Sequence, residues 1–133
     1  MRYLLDTNIC IYLIRRQPPA VIRRLEALNE GDVAMSLVTY AELCAGVERQ
    51  NSAQDQDRQV LAQLIQRIPV LSLDTPVAEA YGRLRVAVPD RKRNAFDRLI
   101  AAHAVALGAT LVTNNEADFV GYPRLRIENW ASP

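Results

Sequence analysis

The chain has 133 residues and a mass of 14.9 kDa, the size of one ordinary domain of roughly 100–200 residues. Half of its residues are hydrophobic, so it can bury a core without a disulfide framework, which excludes the small stapled secreted class. Sixteen basic against fifteen acidic residues leave a formal charge of +1, a balance that speaks against nucleic-acid binding by bulk electrostatics.

The opening Met1-Arg2-Tyr3-Leu4-Leu5-Asp6 runs straight into a strand pattern that reaches an acid at position 6, so it does not read as a signal peptide. No run approaches the roughly 18 apolar residues of a membrane span. Cys10 and Cys44 lie in apolar neighbourhoods with no further cysteine at metal-ligand spacing, as buried, reduced thiols do. These features predict a cytoplasmic protein without membrane contact, organised as one domain over 1–133.

Short apolar runs at Tyr3-Leu4-Leu5, Val33-Ala34-Met35, Val70-Leu71, Thr110-Leu111-Val112 and Leu125-Arg126-Ile127 alternate with longer helix-period stretches. This alternation predicts an α/β fold with a mostly parallel sheet of about five strands, covered by helices on both faces. Pro18-Pro19 ends a first helix and opens a second that carries Val21, Leu25 and Leu28 before Gly31 closes it. A third helix runs from Val38 to about Gln50 with Leu43 and Val47 on one side. The polar stretch from Gln50 to Asp57 reads as a connection into a helix holding Val60, Leu61, Leu64 and Ile65. Thr75-Pro76 reads as a cap followed by a first-turn proline, and Asn94 as the cap of a helix over Ala95–Leu107 that Gly108 ends.

Acids fall at one edge of this pattern. Asp6 lies at the carboxyl end of the first strand, where ligands bind in open α/β sheets; it also suits a helix cap. Glu42 lies in the helix after the second strand, on the side of Val38 and Thr39, from which it reaches back toward the crevice. Asp97 has apolar neighbours in Phe96, Leu99 and Ile100, and its position after Asn94 equally suits a capping box. Asp118 follows the fourth strand and the polar turn Thr113-Asn114-Asn115-Glu116, where a turn aspartate bonding its own backbone is the plain alternative. One shared acidic pocket accounts for all four. Converging carboxylates repel one another unless a cation neutralises them, which points to a hard divalent ion, Mg2+ or Mn2+, and to metal-assisted hydrolysis of a phosphate ester. Ser36 and Thr113, at strand ends, are candidates to orient water or phosphate, or to serve as a cap and a turn. The single histidine, His103, sits in an alanine-rich helix without a cysteine partner and reads as structural.

The ordered set Leu4-Leu5-Asp6-Thr7-Asn8, Thr39-Tyr40-Ala41-Glu42-Leu43, Asp97-Arg98-Leu99-Ile100-Ala101-Ala102-His103-Ala104, Thr113-Asn114-Asn115 and Ile127-Glu128-Asn129-Trp130 resembles the PIN-domain ribonucleases, specifically the VapC toxins of bacterial type II toxin–antitoxin modules. The likeness runs from residue 2 to residue 130. It implies a PIN-like α/β/α sandwich and a Mg2+-dependent endoribonuclease, commonly a homodimer, whose VapB-like antitoxin docks over the active-site groove. Asp6 and Asp97 match the family's metal-binding aspartates and Glu42 its helix acid. Many relatives carry an aspartate where this chain has Asn115; here an acid follows three residues later, so Asp118 is taken as the fourth acid, with Asn115 as a polar neighbour.

Other uses of strand-end acids fit less well. A response-regulator receiver needs a late-strand lysine, and Lys92, the only lysine, is far from any strand end. A haloacid-dehalogenase-like phosphatase needs a second aspartate two residues after Asp6, where Asn8 stands. A catalytically silent module that binds RNA or protein is the alternative from another class, against which the joint presence of Asp6, Glu42 and Asp97 argues. Apart from Lys92 every basic residue is arginine, the side chain suited to bidentate contact with phosphate. Arg91 and Arg93, flanking the Asp97 helix, are the candidates to hold RNA phosphates, with Arg15, Arg16, Arg23 and Arg24 forming a second basic run.

Overall fold

The computed structural model describes residues 1–49, 54–89 and 95–131. In chain order these form β1 (Tyr3–Leu5), α1 (Thr7–Arg15), α2 (Pro19–Glu26), β2 (Val33–Ser36), α3 (Leu37–Glu48), α4 (Gln54–Arg67), β3 (Val70–Leu71), α5 (Thr75–Ala87), α6 (Ala95–Leu107), β4 (Thr110–Val112), a 3-10 turn over Glu116–Asp118 and β5 (Arg126–Glu128). The strands make one five-stranded sheet in the order β3-β2-β1-β4-β5, with every neighbouring pair parallel.

Register explains why the inner strands read as unbroken apolar runs. Leu4 pairs with Ala34 and Leu111, and all three face the layer built by α5 and α6. Leu5 pairs with Met35 and Val112, which face the layer of α1, α2, α3 and α4. A strand covered on both faces has no polar side to alternate with. The order also places a topological switch between β1 and β4: from β1 the chain builds outward through β2 to β3, then returns to lay down β4 and β5 on the other side. Crevices for ligands open at such switches, outside the carboxyl ends of the strands.

The sheet and its helix layers match the expected α/β/α architecture, while several boundaries move for identifiable reasons. α2 stops at Glu26 rather than near Gly31: the Ala27 N–H closes back on the carbonyls of Arg23 and Leu25, and the guanidinium of Arg67, at the end of α4, donates to the carbonyls of Leu25 (3.2 Å) and Leu28 (3.1 Å) around this end. α3 begins at Leu37, one residue before the expected start, with Ser36 as its cap. α4 begins at Gln54, so Gln54 to Asp57 belong to the helix rather than to a connection; Asp55 and Asp57 suit the positive end of its dipole. The cap of α5 is Asp74, whose carboxylate accepts from the Val77 N–H (3.3 Å), and Thr75 is the first helical residue. Gly108, at φ +66°, ends α6 as expected, in a conformation an L side chain resists. β5 is shifted by one residue, to Arg126–Glu128, with Ile127 in register with Leu111. The expected cap at Asn94 lies outside the described residues.

After β5, the buried Trp130 packs edge-on against Tyr3 with ring centroids 5.4 Å apart, and its indole N–H donates to Glu128 (3.0 Å). The Arg24 guanidinium lies over the Trp130 ring and pairs with Glu128. The ring and the ion pair differ in energetic weight. Trp130→Ala is expected to cost about 3–5 kcal/mol, the range for emptying a large buried aromatic site. Arg24→Ala, which breaks a half-exposed pair, is expected to cost about 1 kcal/mol or less. Urea unfolding of the two variants measures the contrast.

Candidate active site

Asp6 follows the last residue of the central strand β1, with its backbone N–H held by the Val112 carbonyl (3.0 Å). The same residue caps α1: its carboxylate accepts from the Ile9 N–H at 3.0 Å. The cap and site readings of Asp6 are therefore compatible. The Thr113 hydroxyl, fully buried just past β4, also holds the Asp6 carboxylate, and its oxygen accepts from the Asn115 N–H (2.9 Å). Thr113 thus positions both Asp6 and the turn that carries Asn115.

Glu42 sits in the middle of α3, the helix that contributes Val38 to one layer and Leu43 to the other. Thr7, the first residue of α1, donates its hydroxyl to Glu42 Oε1 (2.5 Å) and lies 3.4 Å from the Thr39 hydroxyl. Asp97 lies in the first turn of α6, half-buried, and Ile100 follows one turn later. Asp118 ends the 3-10 turn and is exposed, as is Asn115. All four acids line one cavity of about 190 Å3, together with Thr7, Asn8, Ile100, Asn115 and the buried Phe119.

Ser36 is not among the lining residues. Its oxygen accepts from the Val38 N–H (3.1 Å), capping α3, and stands 2.9 Å from His103 Nδ1. Cap chemistry thus claims this hydroxyl, and His103 is a buried structural residue that ties α6 to the start of α3, with burial holding its pKa below the ordinary value. Cys10 is buried and Cys44 half-buried, and both are free thiols. Arg91 and Arg93 lie outside the described residues. Thr7 was legible only as the neighbour of Asp6, although as the first helical residue it faces the next helix. Phe119 gave no signal, because it reaches the cavity only through the course of the turn after β4.

Burial dominates the electrostatics. Asp6 is 5% exposed, and its pKa is pushed up to about 6, chiefly by burial and further by the charge of Glu42, against the stabilising hydrogen bonds from Thr113 and the N–H groups of Ile9 and Asn8. No cation acts on Asp6 among the described residues. Burial and the Asp6 charge also hold the Cys10 thiol firmly protonated. Among the described residues no three His, Cys, Asp or Glu side chains are gathered closely enough to cage an ion by themselves. This donor set fits an ion that takes one or two carboxylates and completes its shell with water, as Mg2+ does, and does not fit a closed zinc site.

A crevice at a topological switch, lined by carboxylates from four separate segments of a parallel α/β sheet, defines a class. The chain belongs to the PIN-domain family, whose model matches residues 3–124. Within it the relatives are VapC proteins: the chain is 35% identical over 133 residues to the tRNA(fMet)-specific endonuclease VapC of Shigella flexneri, covering 98% of this chain and 99% of the relative. It is 36% identical to the ribonuclease VapC2 of Rickettsia felis, with 98% of each covered. The structure of VapBC2 from Rickettsia felis bound to a DNA fragment from their promoter contains a chain that superposes with a TM-score of 0.89 at 35% identity, over 98% of this chain and 99% of that one.

The raised pKa of Asp6 carries a stability consequence. Unfolded, the group loses its proton near its ordinary pKa of 3.8; folded, it holds the proton to about pH 6. The folded state therefore binds more protons between these values, and stability falls as pH rises from about 4 to 6, then levels off. The full cost is on the order of 3 kcal/mol. Asp6→Asn, which can still cap α1, is expected to flatten this slope and to raise stability above pH 6 in chelator-treated protein, as read from urea unfolding across pH.

Proposed function

We propose that this chain is the toxin of a type II toxin–antitoxin module, a cytoplasmic endoribonuclease that hydrolyses RNA phosphodiester bonds with Mg2+, or Mn2+ in its place. The observation that carries the reading is the buried Asp6 carboxylate, raised in pKa and met by no described cation, in one cavity with Glu42, Asp97 and Asp118. Asp6 and Asp97 are the residues that would hold the ion. When bound, it lowers the pKa of a coordinated water and offsets charge on the phosphate. Thr113 holds Asp6 in place, and Thr7 aims Glu42 into the cavity, where it can accept a proton from the attacking water. Asn115 offers an amide at the rim, and the exposed Asp118 adds charge there.

Along α1, α3 and α4 a groove of about 630 Å3 leads away from Thr7 and Glu42, walled by Ile11, Ile14, Leu43 and Val47. We assign it to an apolar segment of a VapB-like antitoxin, whose arginine could replace the metal's charge among the acids. Self-association into a homodimer through apolar helix faces belongs to the same reading; light scattering at micromolar concentration is expected to give about twice 14.9 kDa, and a clean monomer would refute it.

Because tRNA(fMet) stands in the name of the Shigella flexneri relative, tRNA is the first substrate to assay. Wild-type protein is expected to cut tRNA in Mg2+ and to stop in EDTA. Asp6→Ala and Asp97→Ala should lose at least about 100-fold in rate, and Glu42→Gln about 10²–10⁴-fold. Asp118→Asn, at an exposed position, should lose less than Asp6→Ala. Equal cleavage by wild type and Asp6→Ala in both conditions would sink the metal-nuclease reading, and tight RNA binding without cleavage would leave a silent binding module.

A further inference from the structure

Phe96 is the residue that the proposed chemistry does not use. It is 52% exposed in the first turn of α6, next to Asp97. Its ring lines the groove that also holds Thr7 and Glu42, and those two residues line the acid cavity as well. Phe96 therefore stands where the groove meets the acids. The other phenylalanine, Phe119, is buried beneath the cavity and contributes to the core. A ring half in water adds little to packing, and its immediate neighbour in sequence is one of the acids. Arg15 and Arg49 line the same groove, with Asp57 as the opposing charge.

We infer that Phe96 is a base-stacking platform: an unpaired nucleobase beside the scissile phosphate lies on its ring, while Arg15 and Arg49 face the phosphates further along the strand. This inference rests on the ribonuclease reading and adds to it a residue that positions the substrate. RNA-binding sites take splayed bases on aromatic faces in this way, since each base has a π-face and a duplex hides it. The aromatic-plus-arginine groove is the arrangement that holds single strands. The antitoxin segment assigned to this groove would exclude RNA from it when bound, and it needs only an apolar surface at position 96, with no requirement for an aromatic one.

The test uses full-length variants and unfractionated bacterial tRNA. Phe96→Ala and Phe96→Leu are both expected to raise KM about tenfold with kcat changed less than about threefold, while Phe96→Tyr retains wild-type KM. The salt dependence of binding should keep its slope, because stacking releases no counterions. In the Asp6→Asn background, which keeps the RNA intact, Phe96→Trp places a reporter at the site, and tRNA should quench it; the native Trp130, being buried, should stay unchanged in the parent protein. A Phe96→Leu protein with wild-type KM, or an unquenched reporter, overturns the stacking role. Loss of antitoxin binding with unchanged tRNA kinetics assigns the ring to the protein partner and overturns it too. If the wild type cleaves tRNA and Phe96→Ala does so equally well, this inference alone fails; if the wild type neither binds nor cleaves RNA, the ribonuclease reading fails with it.

Discussion

A carboxylate buried at the end of the central strand is the constraint around which the rest of this molecule is arranged. Asp6 must end β1, cap α1 and stay in the crevice, and these three demands agree only because β1 runs directly into α1. The N–H groups of Ile9 and Asn8 and the Thr113 hydroxyl supply hydrogen bonds, but they do not offset the loss of water, and the pKa remains high. Hydrogen bonds from neutral groups stabilise a buried carboxylate less than an opposite charge does. A positive charge placed among these acids would offset that deficit, as would protonation.

The fold supplies the remaining acids through rigid connections. β4 lies beside β1 at the switch point, so Thr113 falls next to Asp6 and the following turn delivers Asn115 and Asp118. α3 leaves β2 with no intervening loop, capped by Ser36, and this short exit fixes where Glu42 can reach. The contact between Ser36 and His103 ties that exit to α6, the helix of Asp97. Both buried polar groups therefore act on site geometry at one remove: they tie together the two helices whose acids, Glu42 and Asp97, line the cavity.

Sequence made the sheet, both helix layers and the cluster of acids legible, because each rests on a local rule. Buried parallel strands read as apolar runs, and ligands gather at carboxyl ends. It was less informative where one side chain can serve two chemistries. Ser36 and Thr113 look alike as strand-end hydroxyls; only packing shows that Ser36 turns to its own helix and His103 while Thr113 turns to Asp6. Thr75 looked like a cap, yet Asp74 one residue earlier holds the Val77 N–H. The end of α2 was not legible, since the apolar spacing of Val21, Leu25 and Leu28 runs on past it, while Arg67, some forty residues away in the chain, adds hydrogen bonds there.

The arginine-rich composition divides along the same line. Arg67 serves a helix end, and Arg24 lies over Trp130 with Glu128 beside it, so these guanidiniums act within the fold. Arg15 and Arg49 line the groove that runs to the acids. The near-neutral total therefore hides a local separation: the cavity gathers four acids, while the groove that shares Thr7 and Glu42 with it is lined by Arg15 and Arg49 against Asp57. On the proposed ribonuclease reading, a phosphate chain would be repelled by the acids until a cation sat among them, so metal and RNA would bind with positive coupling. A partner protein's arginine placed there would use the same deficit in reverse, occupying the cation's place without supplying water for attack.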